Sequence, residues 1–283
     1  MKINNMQGAI IVNKVPDMTS RDVINILNKK FNTKSIGHTG TLDPIAEGVL
    51  VCLIGKYTKL TDILINHDKE YIASFKLGIL TDTLDITGKI LKEEKINLTK
   101  EEIQKTILSF KGKYNQEVPI YSAVKINGKK LYEYARNNEE ITLPKREVNI
   151  YDIELLNIDN DIITIKTKVS KGTYIRSLIR DIGLKLNTNA TMTKLIRTKL
   201  GKFTIEESYT LEDIQNDNYK LLSLEDLINL DTININEEML FKIKNGQIID
   251  YQTDKYILYK YNNQDIALYK PYQNNKIKPF IMF

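Results

Sequence analysis

Apolar residues along this chain recur at two spacings, and the switching between them predicts a mixed α and β protein. GAIIVN (8–13) reads as a strand, and Thr19 or Ser20 then caps a helix with Val23, Ile26, Leu27 and Phe31 at helical spacing. Val49 to Ile54 is an unbroken apolar run fit for a central strand, while Tyr71 to Leu77 alternates strand-fashion. Thr99 and Glu102 form a capping box ahead of Ile103, Ile107, Leu108 and Phe110, which predicts a helix over 99–110. Strands over 148–158 and 162–169 lead to a helix over 174–186, with Tyr174, Ile175, Leu178, Ile179 and Ile182 on its apolar face. Near residue 235 the pattern changes. Short Tyr-rich and Ile-rich alternations, separated by Asn-Gly, Asn-Asn and Pro-Tyr, predict a small β appendage to residue 283. The irregular succession of strands and helices points to the α+β class, with a main domain over 1–232 and the appendage over 235–283.

A length of 283 residues suits one large domain with an appendage, or two ordinary domains. The longest apolar run is far short of a membrane-spanning helix, and MKINNMQG has no signal-peptide core, so a cytoplasmic location away from membranes is expected. Cys52, the single cysteine, lies inside the apolar run and reads as a small buried hydrophobe. His38 and His67 have no cysteine or carboxylate cluster at ligand spacing, so no metal site is expected.

Charge changes the picture locally. The overall balance is only +5, but residues 166–202 carry ten Lys or Arg against Asp181 alone, and residues 203–240 carry ten acids against Lys220 alone. A basic segment of this kind suits a polyanion such as nucleic acid, or it is a set of solvated lysines; charge alone leaves both open.

The stretch SIGHTGTLDPIAEGVL (35–50) is where chemistry concentrates. Gly37, Gly40 and Gly48 permit unusual backbone, and Pro44 drives Asp43 toward an extended conformation from which its carboxylate can project. No Lys and Ser or Thr follow as a phosphate-binding P-loop requires, which disfavours nucleotide chemistry. Taken alone, the loop could equally be a turn in which Asp43 caps backbone groups.

GHTGTLDPIAEGVL resembles the signature of the bacterial TruB family, the tRNA pseudouridine-55 synthases. The resemblance continues through DKEYIASFKLGILTDTLDITG (68–88), VPIYSAVKINGKKLYEYAR (118–136), SKGTYIRSLIRDIGLKL (170–186) and LIRTKLGKF (195–203), in the family's order. It implies a pseudouridine synthase fold, a mixed and largely antiparallel sheet flanked by helices with a central cleft, followed by a small β-rich PUA-like RNA-binding domain. It implies that Asp43 is the essential catalytic residue, that Arg176 pairs with it, and that Tyr71 stacks on the target uracil. Tyr174 would support the cleft, Leu195 would line the base pocket, and His38 and Lys14 would lie at the RNA. Lys125, Lys129, Lys130 and Arg136, interleaved with Tyr121, Tyr132 and Tyr134, match an insertion (about 118–146) that grips the T-loop. The implied reaction changes no oxidation state and needs no cofactor. The implied partner is the T-arm stem-loop of tRNA, met by a monomer without an obligatory protein partner.

Two departures stand out. The family's Lys-Pro, followed shortly by Gly and Thr-Ser, appears here as NKVPDMTS, with Asp17 where glycine is common, and the C-terminal region is shorter than usual although FKIKNGQ (241–247) resembles its beginning. Two other functions share these motifs: a non-catalytic tRNA-folding factor, and a guide-RNA-dependent synthase. The intact Asp43, Tyr71 and Arg176 set speaks against the first, and the insertion against the second.

Overall fold

The computed structural model describes residues 6–283; residues 1–5, part of the stretch read as lacking a signal core, lie outside the described residues. The apolar run EGVLVCLI organises the centre. It forms the Glu47–Ile54 strand and sends successive side chains to two different cores, Leu50, Cys52 and Ile54 to one and Val49, Val51 and Leu53 to the other. A strand can be apolar at every position only where both sheet faces are covered, and here both are. The neighbouring Gly8–Lys14 strand divides in the same way, with Ile10 and Val12 in the first core and Ala9 and Ile11 in the second.

Seven strands form the main path of a nine-stranded sheet, in the order Gly8–Lys14, Glu47–Ile54, Ala190–Leu200, Lys69–Leu77, Ile162–Val169, Lys145–Asp159, Gly112–Glu117. All neighbours are antiparallel except Glu47–Ile54 and Ala190–Leu200, which run parallel over a short register. Ile36–His38 and Phe203–Thr204 attach as short side strands.

The first core packs three helices, Ser20–Lys30, Lys100–Leu108 and Ile175–Lys185, on one face. Thr19 caps the first in a reciprocal box with Asp22, and its buried stripe is Ser20, Val23, Ile24 and Leu27. Ile26, expected on that stripe, sits at its half-buried rim, because spacings of three and four from Ser20 select Ile24 instead. The Thr99 and Glu102 box forms as expected. The third helix is covered on more than one side: Arg176, Ser177 and Gly183 are buried together with Ile175, Leu178, Ile179 and Ile182. That carries a guanidinium into the interior.

The second core joins the main sheet to a C-terminal five-stranded sheet, with Leu258, Leu268 and Ile281 packing among Val49, Val51 and Leu53. This sheet draws its first strand from Leu230–Asn234, ahead of the change in sequence pattern near 235, and it carries a helix, Glu237–Lys244, that strand periodicity did not foreshadow. Asn236 caps that helix through the Met239 amide.

The acidic segment is occupied locally. Glu207, Asp213 and Asp226 close capping boxes with Thr204, Thr210 and Ser223. Asp217, Glu225 and Asp231 pair with Lys30, Lys260 and Lys255. Its negative charge therefore stitches short helices and the C-terminal sheet in place.

Candidate active site

Gly8–Lys14 occupies one edge of the Glu47–Ile54 strand, so its other two partners share the opposite edge. Arg197 pairs with Gly48 near the strand's start, and Ile36–His38 pairs near its end. Residues 39–46 bridge this fork. Gly48 makes the fork possible: its φ is +105°, and a Cβ there would stand 2.3 Å from the Arg197 carbonyl oxygen. No side chain fits that position.

Buried polar side chains grip the loop from below. Arg197, almost fully buried, donates from Nε to Val49 O at 2.7 Å and from Nη2 to Gly40 O at 3.1 Å. The Ser20 hydroxyl accepts from Leu42 N at 2.9 Å and sits 3.3 Å from Leu42 O. Lys14 donates to Pro44 O at 3.1 Å and to Val15 O at 2.8 Å. His38 Nδ1 accepts from Gly40 N at 3.3 Å. Asp43 is thus flanked by two pinned residues, Leu42 and Pro44, and the Ala46 amide closes the turn on Asp43 O at 3.0 Å.

Burial has electrostatic consequences. It lowers Lys14 to about 8 even though Asp17 and Asp43 pull the other way. Burial, with Arg197 and Arg21 adding to it, holds His38 below its ordinary value, so the ring is neutral at neutral pH and its Nδ1 is free to accept. Lys14, expected at the RNA, has a fully buried side chain turned onto loop carbonyls. Where glycine is common in the family, Asp17 adopts φ +61°, a conformation that Asp visits more readily than most residues, so the turn survives the substitution.

The loop presents Asp43 to Arg176 in a two-pronged contact, Nε to Oδ2 at 2.9 Å and Nη2 to Oδ1 at 3.1 Å. The carboxylate remains one-third exposed while the guanidinium is only 7% exposed, so the pair has one solvent-facing end, the acid. Arg176 also donates to Thr83 O and to Tyr121 O, both at 3.0 Å. Its Nη1 lies 3.7 Å from Asp85, a second, buried carboxylate that the Thr83 and Thr87 hydroxyls hold. Arg176 therefore fixes three chain segments at one point: the loop, the 79–93 hairpin and the insertion.

Tyr71 lies on the strand next to Ala190–Leu200, opposite Arg197, with its side chain in the first core. Leu195, opposite Ala73, is its diagonal neighbour on the same face, and Leu42 and Ala46 from the loop join that core. Tyr174 is the N-cap residue of the Arg176 helix, and Arg146 lies 5.7 Å from its ring centroid.

The RNA-contact candidates of the insertion sit apart, on a hairpin with an Asn127-Gly128 turn and the short helix Leu131–Arg136. Lys125 and Arg136 are exposed. Lys129 pairs with Glu139, and Tyr132 has Lys130 and Arg136 over its ring at 5.4 and 5.3 Å. A recess of about 910 Å³ between insertion and hairpin is lined by Asp82, Leu91, Ile120, Tyr121 and Ile141 among others.

Asp85, Ser20 and Arg197 were not singled out from the sequence. Asp85 lay inside a recognised block and is flanked by two threonines, which is the available signal; Ser20 read as a helix cap, and Arg197 as one more cation in a basic stretch.

Residues 28–175 match the model described as TruB family pseudouridylate synthase (N terminal domain), and residues 176–232 match the tRNA pseudouridylate synthase B C-terminal domain. The chain belongs to the TruB family. Among TruB relatives, tRNA pseudouridine synthase B of Caldanaerobacter subterraneus subsp. tengcongensis is 41% identical over 283 residues, covering 98% of this chain and 99% of that protein. The protein of the same name from Clostridium tetani is 44% identical over 275 residues, covering 96% and 93%. The TruB fold also superposes on a chain in the crystal structure of a Cbf5-Nop10-Gar1 complex, with a TM-score of 0.70 at 24% identity over 99% of this chain and 85% of that one.

Proposed function

We propose that this protein isomerises uridine to pseudouridine in the T-loop of tRNA, at position 55. The observation that carries the proposal is the Asp43 and Arg176 pair, an exposed-ended carboxylate held by a buried guanidinium at the fork of the sheet. In the reaction the N1–C1′ bond breaks, the uracil turns in place, C5 bonds to C1′, the hydrogen on C5 leaves as a proton, and the freed N1 takes up a proton, so that no atoms are gained or lost overall. Asp43 acts either as the nucleophile at C1′ or as the base at C2′, and its fixed position suits both. Tyr71 and Leu195 offer the extruded base a flat and an apolar wall. Extrusion costs about a few kcal/mol, offset by contacts in the pocket and along the phosphates. The insertion supplies cations and aromatic faces for the T-arm, and the C-terminal sheet is a PUA-like RNA-binding unit. The enzyme works as a monomer without a guide RNA.

A T-arm stem-loop tritiated at C5 of the target uridine tests this directly. Tritium should pass to water without ATP, metal or guide RNA, and replacing that uridine by cytidine should abolish release. Binding without release would identify a folding factor, and release only on addition of a guide would identify the ribonucleoprotein type.

A further inference from the structure

Gln116 lies on the edge strand Gly112–Glu117, yet it is completely buried. Its side-chain amide clasps the backbone of Tyr174: Oε1 accepts from Tyr174 N at 2.8 Å, and Nε2 donates to Tyr174 O at 3.1 Å. The same Nε2 donates to the Tyr114 hydroxyl at 2.6 Å, which fixes the orientation of the amide. Tyr174 is the N-cap residue of the helix that carries Arg176, and its own side chain provides no cap. A helix start without a local cap leaves amides to be satisfied from elsewhere, and Gln116 satisfies one of them, Tyr174 N–H, from across the fold.

The surroundings reinforce the clasp. Arg146, the cross-strand partner of Gln116, lies over the Tyr174 ring, so two adjacent residues of the sheet edge hold one residue, by its peptide and by its ring. Immediately after Gln116, the Glu117 carbonyl accepts from Ser177 Oγ at 2.8 Å, and its carboxylate pairs with Arg180 at 3.0 Å. Four contacts thus register the first turns of the helix against the strand that feeds the insertion.

We propose that Gln116 is a positioning residue for the reaction: by fixing the Tyr174 peptide it sets the first helical turn, and with it the Arg176 guanidinium against Asp43. This rests on the pseudouridine synthase function proposed above. Nothing in it requires Gln116 to touch RNA.

The test measures single-turnover tritium release at saturating enzyme, with stem-loop Kd by filter binding. Gln116→Met keeps the length and apolar bulk but leaves Tyr174 N–H unpartnered; release should slow about 10- to 100-fold, as expected when a reacting group is displaced by about an ångström, with Kd unchanged. Gln116→Glu retains an acceptor for Tyr174 N–H but loses the donor to Tyr174 O, and should fall between wild type and Gln116→Met; if the methionine variant folds poorly, a slowed release by Gln116→Glu with Kd unchanged carries the test. In an Arg176→Lys background, Gln116→Met should add little, because the group it positions has already been altered. Thr191→Val, which removes another buried hydroxyl, bonded to Ile79 O, should leave the rate unchanged.

Wild-type rates in both Gln116 variants would overturn the inference. So would a fully multiplicative effect in the Arg176→Lys background, an equal slowing by Thr191→Val, or a Kd that rises in step with the lost rate. Wild-type protein that releases no tritium would instead overturn the proposed function, and this inference with it.

Discussion

The loop at 39–46 and the insertion at 118–144 both serve the same site, yet they are held by opposite means. The loop is gripped from beneath by side chains of Lys14, Ser20 and Arg197, all buried, each reaching a backbone carbonyl or amide. The insertion is held largely by its own groups, half-buried apart from the exposed Glu139: Lys129 on Glu139, Tyr134 on Ile126 O, Lys130 on Tyr132. Fully buried hydrogen bonds to backbone are costly to break because each leaves an unsatisfied partner, whereas pairs with access to water exchange more readily. Bond-making needs fixed geometry and gripping a folded RNA needs adaptability, and under the proposed function the two regions would divide those demands.

That contrast can be broken first at its rigid end. Asp43→Asn keeps the shape of the side chain but not its charge or nucleophilicity; turnover should fall on the order of 10,000-fold with stem-loop affinity intact. Substantial release by a sequence-verified variant would remove Asp43 from the chemistry.

Arg197→Met should cost about 3 kcal/mol in urea unfolding and lower kcat, since Val49 O and Gly40 O lose a charged donor in the interior. An unchanged unfolding midpoint would show that the loop does not depend on its buried grip.

At the adaptable end, Lys130→Ala should leave kcat alone, weaken binding and lower the salt slope of affinity by about 0.7 to 0.9. Glu139→Ala should act in reverse, freeing Lys129 from its intramolecular partner. If both leave affinity and slope untouched, the RNA does not lie on the insertion.

The smallest effect concerns pH. Because folding holds His38 and His67 below their ordinary 6.5, the unfolded chain binds more protons as pH falls through that value, so native stability declines on acidification. Replacing His38 by Asn, which retains an acceptor for Gly40 N, should flatten part of that decline in urea midpoints measured from pH 7.5 downward. An unaltered slope would place the titration elsewhere.

How much of this was legible in the sequence follows from contact distance along the chain. The Thr19 and Thr99 caps, the two-faced Val49–Ile54 strand and the Ile175–Lys185 helix rest on neighbours a few residues apart, and they were visible. The Glu237–Lys244 helix was missed because its apolar positions sit among short Tyr and Ile alternations that suggest strand. Asp43 and Arg176 are 133 residues apart. Only the family resemblance joined them. Asp85, Arg197 and Gln116 carry side chains whose ordinary place is the surface, and nothing local marks them as buried until the sheet brings their partners near.

The insertion leaves the main sheet after Glu117 and rejoins it at Lys145, two residues that face each other across one register position. An excursion that departs and returns at a single paired point can be lengthened, shortened or exchanged without rethreading the strands on either side. If the insertion grips RNA as proposed, recognition of new RNA shapes can be acquired by grafting a different hairpin there, while the Asp43 and Arg176 pair is inherited intact. One condition limits every such graft: the replacement must return a carbonyl to the place where Tyr121 now meets Arg176.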